Sequence, residues 1–401
     1  MDQWLQSLPH IFGSLQAHLS RREHLSCDEQ ARIAFVVASF DREDSWSPAG
    51  VLDLGHNILK DYVQPATSVV QRVLLSHVKP IFQTNLHPGL NPTTARKLQK
   101  PLGGPLSQQD FYEDQSWKLY PAIFSVLRWC VRQINKEAFN DLWHLIVPPM
   151  MILLDDYDVK YKLQGISLAS EFLEAVPAEL LHRTGVDDLL FSSLKTSMTF
   201  LHNPSTPIII RRAVPTWLTL VELTAAPGSV ERFNQLCSLL GESIIGSIWL
   251  YASNDPETIE ATLDVLPAIV FCLDIGVTRY LKAIIPQLLH LLSPPRDHDI
   301  PLRMQKASLQ SLNVIVRVSF MRMHRWGGVI LDDMARLWIR LTENQNQPGG
   351  NQASMKDDIL NVVRCLIHAC PSYKDQLGTI IQVDPVLFRL WGVLLEGMEN
   401  L

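Results

Sequence analysis

The sequence has no marked excess of charge of either sign. Its 401 residues carry 35 Lys and Arg against 41 Asp and Glu, a net charge of -6. No global basic field exists to hold nucleic acid, so any such role needs a local patch. Cysteine is sparse and unpaired in pattern. Cys27, Cys130, Cys237, Cys272, Cys365 and Cys370 are scattered, mostly within apolar helical runs, and no CxxC pair occurs. They read as buried, reduced thiols. Both Asn-x-Ser/Thr matches, at Asn91 and Asn203, are blocked by proline. The opening MDQWLQSLPHIF lacks a basic region followed by a long apolar run, so no signal peptide is expected. No uncharged apolar stretch reaches the roughly 18 residues that span a bilayer. A reducing compartment, cytosol or nucleus, is therefore expected. Alternating strand patterns are nearly absent. GxSxG, HExxH, GxxxxGK[ST] and GxGxxG are all missing, and an enzyme is not expected.

What is present is helical periodicity. With 47% hydrophobic and 19% charged residues, the composition suits a folded chain. Residues 1–82 read as a helical region. A helix starts at Cys27-Asp28-Glu29, and others run over Gly50–Tyr62 and Ala66–Phe82. Residues 83–116, dense in Pro, Gly, Asn and Gln, read as the longest loop, with one short helix at Thr93–Lys100. Residues 117–401 read as a repeat region, with a flexible insert at 344–351 (NQNQPGGN).

The repeated unit is an apolar helix, a tight polar turn and a second helix with an early basic residue. LWHLIVPPMMILL, DDYD and VKYKLQGISLASEFLEAV form the first copy. LLFSSLKTSMTFL to IIIRRAVPTWLTLVEL is the second, and FNQLCSLLGESIIGSIWLYA to ETIEATLDVLPAIVFCL the third. YLKAIIPQLLHLL to LRMQKASLQSLNVIV follows, then a less regular ILDDMARLWIRL to SMKDDILNVVRCLIHAC. The turns recur about every 40–50 residues, the period of HEAT and armadillo arrays. One hairpin cannot cover its own apolar face, whereas stacked hairpins share a continuous core. The expectation is an all-α, HEAT/armadillo-like solenoid.

Turn acids such as Asp155, Asp156 and Asp158 read as caps rather than a cation site, since no EF-hand Gly or distal Glu follows. Lys160, Lys162, Arg211, Arg212 and Arg303 read as basic residues set beside turn acids. Pro148, Pro149, Pro215, Pro267 and Pro286 are expected to kink their helices. Asp297-His298-Asp299 reads as a solvated turn, Gly103-Gly104-Pro105 as a loop turn, and Cys365 with His368 as core. Most of the 10 tryptophans read as core wedges, with Trp4, Trp46 and Trp117 weaker core candidates near element edges. The stretch VIVRVSFMRMHRW, from Val314 to Trp326, interleaves Arg317, Arg322 and Arg325 with large apolar side chains. It fits a protein-binding ridge, a nucleic-acid contact or a plain amphipathic helix with a wet cationic face.

Several short motifs fall in a telling order. They are Lys79-Pro80-Ile81-Phe82, Leu86-His87-Pro88, Trp117-Lys118, Val147-Pro148-Pro149 and Leu154-Asp155-Asp156, followed by Lys162 and Gly165. In these features, best over about residues 75–175, the sequence resembles the Tel-two-interacting protein two family, the smallest subunit of the TTT co-chaperone complex. The resemblance implies a non-catalytic scaffold without cofactor or metal. It would bind the first Tel-two-interacting protein directly and, through it, the Tel-two subunit. With the HSP-ninety system it would support maturation of phosphatidylinositol-three-kinase-related kinases, on which DNA-damage signalling and telomere maintenance depend. A cytoplasmic and nuclear location goes with that role, with neither membrane nor direct nucleic acid. Candidate contacts are Trp117, Lys118, Arg317, Arg322, Arg325 and Trp326. The alternative is a HEAT-repeat transport or nuclear-import adaptor.

Overall fold

A computed structural model describes residues 2–22, 24–41, 49–64, 66–100, 115–293, 300–343 and 350–374. Among them the regular structure is helical, and one isolated antiparallel bridge, Leu90 with Lys97, stands in place of any sheet. The all-α class read from the periodicity is the observed one. The chain forms two compact units, Met1–Ser197 with Glu222–Thr224, and Met198–Val221 with Ala225–Leu401.

In the first unit, α1 (Asp2–Leu19), α2 (Cys27–Ala38) and α3 (Ala49–Tyr62) close around Leu8, Phe12, Leu19, Val37, Val51 and Ile58. Helix α2 starts where its sequence signal says. The Ser26 hydroxyl accepts the Glu29 N–H at 3.3 Å, and the Glu29 carboxylate accepts the Ser26 N–H at 2.9 Å, a complete capping box. Next comes α4 (Thr67–Val73), extended by a π turn, Leu74–Val78, and a last turn, Lys79–Phe82. Then follow α5 (Ile123–Gln133), α6 (Phe139–Leu154), α7 (Val159–Ala175), α8 (Ala178–Thr184) and α9 (Val186–Ser197). Helix α6 is apolar around its circumference, the pattern of an enclosed helix. From Leu142 to Leu154 only His144 and Pro148 escape full burial. Helices α6 and α7 form the first hairpin, and α5 packs on α7, where Arg128 and Arg132 share Glu171 at 2.6 and 2.8 Å.

The second unit takes in α10 (Thr206–Thr224) as far as Val221. Helix α11 (Val230–Cys237) runs on through a π-helical stretch, Ser238–Ile248, to Tyr251. After it come α12 (Pro256–Leu273), a 3₁₀ turn (Asp274–Tyr280), α13 (Leu281–Leu292) and α14 (Leu302–Val318). A second 3₁₀ turn (Phe320–Arg325), α15 (Gly327–Glu343) and α16 (Gly350–Ala369) complete it. Helices α12, α14 and α16 lie side by side, and α13 and α15 pair with each other and with that layer. The repeat is written into the hydrogen bonds. Ser311 Oγ donates to the Leu263 carbonyl at 3.2 Å, Lys306 Nζ to Ser354 Oγ at 2.9 Å and Arg317 Nε to Cys365 Sγ at 3.2 Å, each across 48 residues. Arg340 reaches the Leu292 carbonyl over the same interval of 48. The run Pro256–Leu292 is apolar and long enough to cross a membrane by composition, but half its most apolar window is buried and the 274–280 turn divides it.

Some expectations need correction. Thr93–Lys100 is not a helix. Asn91 Oδ1 accepts the Thr93 and Thr94 N–H groups at 2.9 and 3.0 Å, and Ala95 takes a φ of 49°, so an Asx turn replaces the helical turn. Arg211 and Arg303 do not sit on their own turn acids. They reach across to α12, Arg211 to Asp264 at 2.8 Å and both to Glu260 at 3.8 Å. Only Cys130 and Cys370 are buried among the thiols, the other four being half-buried. His368 is exposed, and Cys365 is half-buried beside Asn313 and Arg317. Pro148, Pro149, Pro215, Pro267 and Pro286 all lie inside continuous helices. Asp158 and Asp255 cap the helices they precede, as read, whereas Ser205 and Pro301 supply no side-chain cap. Trp46, Gly103-Gly104-Pro105, Asp297-His298-Asp299 and 344–349 lie outside the described residues.

Candidate functional site

Of the short motifs between residues 79 and 165, Phe82, His87, Trp117-Lys118, Asp155-Asp156, Lys162 and Gly165 meet around the α6–α7 turn, while Val147-Pro148-Pro149 stays within α6. Asp158 caps α7 through the Lys160 N–H at 2.9 Å. Asp156, fully buried, uses one oxygen twice: it accepts the Asp158 N–H at 2.7 Å and the Lys118 ammonium at 2.9 Å. Lys118 lies over the rings of Tyr157 and Tyr161, 4.2 and 5.0 Å from their centroids, so its charge is met by a carboxylate and two π faces. Asp155 holds His87 Nε2 at 2.9 Å, while His87 Nδ1 accepts the Gly89 N–H at 3.2 Å. That pairing leaves the ring proton on Nε2, directed at Asp155. Lys162, 1% exposed, donates to the Leu154 carbonyl at 2.9 Å and so satisfies the C-terminus of α6. Burial pushes its ammonium below the usual lysine range, and Asp155 and Asp156 oppose that shift.

Beyond the His87–Asp155 bond at this turn, the 83–98 segment is pinned against α6, α8 and α9 rather than left as open loop. Trp143 Nε1 donates to the Ala95 carbonyl at 3.2 Å, Lys97 N–H to the Thr184 carbonyl at 2.9 Å, and Lys97 Nζ to Asp188 at 2.7 Å. Trp117 is not a surface residue. It is 0% exposed, stacked on Phe82 at 5.7 Å and met edge-on by Tyr161 at 4.8 Å. A 3₁₀ turn, Ser116–Leu119, therefore faces Trp117 inward and leaves Lys118 to close over Asp156. Lys118 is spent on Asp156 and His87 on Asp155, while Lys162 and Asp158 are spent on backbone groups. What the knot can do chemically is hold three chain segments together.

The other candidates belong to the second unit. Arg317, Arg322 and Arg325 are exposed and Trp326 is half-buried. The 320–325 turn gathers Arg322, Arg325 and Trp326, while Arg317 sits a turn earlier on α14, bound to the Cys365 sulfur at 3.2 Å. Sequence reasoning missed two exposed apolar residues at the end of α12, the helix packed on α14: Phe271 at 76% exposure and, just past the helix, Ile275 at 51%. The 48-residue interval is the signal that links the two. Among the described residues no three His, Cys, Asp or Glu side chains converge to hold a metal ion.

A family model described as Tti2 family matches residues 33–297, well over half of the chain, and takes in the whole knot. The chain belongs to the Tti2 family. Its similarity to curated members is low and local. It is 25% identical over 136 residues to the human protein named TELO2-interacting protein 2, covering 33% of this chain and 26% of that one. To the mouse protein of the same name it is 28% identical over 80 residues, covering 20% and 16%. The matched segments thus span about a quarter or less of those relatives' lengths.

For this Tti2-family chain, several of the motif residues that first suggested the family (His87, Lys118, Asp155, Asp156 and Lys162) hold the α6–α7 turn together. Removing Asp156 leaves the Lys118 ammonium unmatched and the Asp158 N–H without its acceptor. Asp156→Ala is expected to cost about 2–3 kcal/mol, below the full cost of breaking a buried pair because Lys118 keeps 20% exposure. A Lys118→Met/Asp156→Ala double-mutant cycle in urea is expected to show positive coupling of about 1 kcal/mol or more. Additive losses would mean that the contact contributes nothing.

Proposed function

We propose that this chain is a non-catalytic scaffold subunit of the TTT co-chaperone complex. The observation that carries the reading is the Tti2 family match over residues 33–297, supported by relatives named for binding TELO2. In this reading the chain binds the first TELO2-interacting protein directly and TELO2 through it. With the HSP-ninety system it supports the maturation and stability of phosphatidylinositol-three-kinase-related kinases, in cytoplasm and nucleus. The geometry fits a role exercised by surface. The knot's charged groups face one another, and paired helices in the second unit carry large exposed apolar side chains. Trp117 and Lys118 then serve binding only indirectly, by holding the first hairpin.

The experiment is affinity purification of the tagged full chain from its own cells, followed by its depletion. Recovery of TELO2 and the first TELO2-interacting protein is expected, with kinase levels falling several-fold on depletion. Recovery of a small GTPase with basic cargo, or unchanged kinase levels, would replace the scaffold role with that of a transport adaptor or some other function.

A further inference from the structure

We infer that one edge of the second unit, built from the 3₁₀ turns 274–280 and 320–325 and the helix ends that lead into them, is a docking surface for an acidic amphipathic helix of a partner protein. This rests on the scaffold reading and names the surface and the partner chemistry that it requires.

The two turns are equivalent parts of successive repeats. Ser311 Oγ bonds the Leu263 carbonyl across 48 residues, so α14 lies on α12 with that register. The same interval carries Phe271 to Ser319 and the 274–280 turn to 322–328, overlapping the 320–325 turn, so both turns emerge at the same end. Each presents large apolar side chains to solvent: Phe271 at 76% and Ile275 at 51% on the first, Phe320 at 49% and Met321 at 66% on the second. Phe271 and Ile275 are four residues apart, and Phe320 and Met321 are consecutive. Isolated exposed hydrophobics need no explanation, but four on one edge of adjacent repeats do. The patch continues onto α11, where Phe233, 36% exposed, lies under the Arg279 guanidinium at 5.7 Å and close to Gly276.

Charge chooses the occupant. From Asn313 to Leu331 the chain has no Asp or Glu, while it carries Arg317, Arg322, His324 and Arg325, all exposed. Arg279 adds a cation on the first turn, where Asp274 is the one acid. Arg322 and Arg325 make no ion pair among the described residues. An apolar strip rimmed by unneutralised guanidinium groups matches a helix with apolar anchors at i, i+3/i+4 and i+7, flanked by Asp and Glu. Neighbouring helices pack about 8–10 Å apart. A partner helix of three turns, about 16 Å long, therefore bridges both turns.

The edge is also held rigid from behind. Val277 and Met323, each 0% exposed, anchor the two turns in the core. Tyr373 donates to the His324 carbonyl at 3.3 Å, and its ring fills the space that a side chain at residue 327 would need. Such pre-ordering lowers the entropy lost when a partner binds.

The test uses the full chain with purified TELO2 and first TELO2-interacting protein. Phe271→Ser/Phe320→Ser is expected to weaken capture by at least about tenfold, the scale of an interface hot spot. Arg322→Glu/Arg325→Glu is expected to do the same and to flatten the salt dependence, whereas Arg322→Lys/Arg325→Lys keeps most of the affinity. Leu250→Ser/Tyr251→Ser serves as control, because this exposed pair lies beside the acids Asp255 and Glu257 and is expected to bind as wild type. A photo-crosslinking phenylalanine analogue at position 271 or 320 is expected to capture an acidic helical segment of the partner. Wild-type capture by the edge variants, equal loss in the control, or crosslinks to a basic segment or to a second copy of this chain would overturn the inference alone. Failure of the wild-type chain to capture the partners would overturn the scaffold reading and this one with it.

Discussion

Replacing Trp117 with alanine is expected to destabilise the first unit by about 3–5 kcal/mol, the range for deleting a buried aromatic. The indole is 0% exposed, lies between Phe82 and Tyr161, and forms the wall against which Lys118 is folded. Its N–H finds no acceptor among the described residues, so the loss is one of packing rather than of a hydrogen bond. Trp117→Phe, which keeps a ring in the stack, is expected to cost less than half as much. For a unit of this size, 1 kcal/mol shifts the melting temperature by roughly 2–4 °C, so the alanine variant is expected to melt about 6–20 °C lower. Thermal unfolding followed by circular dichroism reads this directly. A residue that served only as a partner contact would change stability by no more than about 0.5 kcal/mol. A near-normal melting point with weakened partner capture would return Trp117 to the surface.

The second large effect is expected at Gly165. A Cβ there would stand 2.3 Å from the Leu154 nitrogen, 2.4 Å from its Cα and 2.6 Å from the Leu153 carbonyl carbon. These are backbone atoms of α6, with no flexible side chain to move aside. Two effects of opposite sign compete in Gly165→Ala. Alanine gains about 1 kcal/mol in helix propensity. Overpacking costs about 1–3 kcal/mol where side chains can shift, and more where they cannot. The clash wins, and Gly165→Ala is expected to lose at least about 2 kcal/mol net, Gly165→Val more. Because α6 and α7 must separate, the bond from Lys162 to the Leu154 carbonyl and the Asp156 cluster are lost with it. Amide exchange is expected to accelerate over the 154–165 turn before the rest of the unit responds. Unchanged exchange in Gly165→Ala would show that the two helices are not in contact at that point.

Much of the fold was legible before any coordinates. The hairpin turns near 155 and 253 fall where the polar breaks in the sequence place them, and α2 begins at Cys27, the start read from the sequence, with Ser26 before it closing the capping box. Such features are local: a cap or turn is decided by residues within three or four positions of each other. Trp117 misled because its neighbours along the chain, Ser116 and Lys118, are polar. Its burial is decided by Phe82 and Tyr161, 35 and 44 residues away along the chain. Arg211 and Arg303 misled for the same reason, since their acids lie on α12 rather than in their own turns. The Thr93–Lys100 segment carried too weak a periodicity to outweigh the Asn91 side chain, which takes the N–H groups that a helix would have used.

The sequence by itself determined the helical class, the hairpin period, the lack of a recognisable catalytic motif and, through a set of ordered short motifs, the family. Each of these depends on spacing along the chain, which survives without knowledge of what touches what. Tertiary structure alone decided which of those motifs work together, that Trp117 is core, that Gly165 lies against Leu154, and that Phe271 and Phe320 stand exposed. The physical reason is that burial and charge neutralisation are settled between segments tens of residues apart, and only the packed helices bring them within reach.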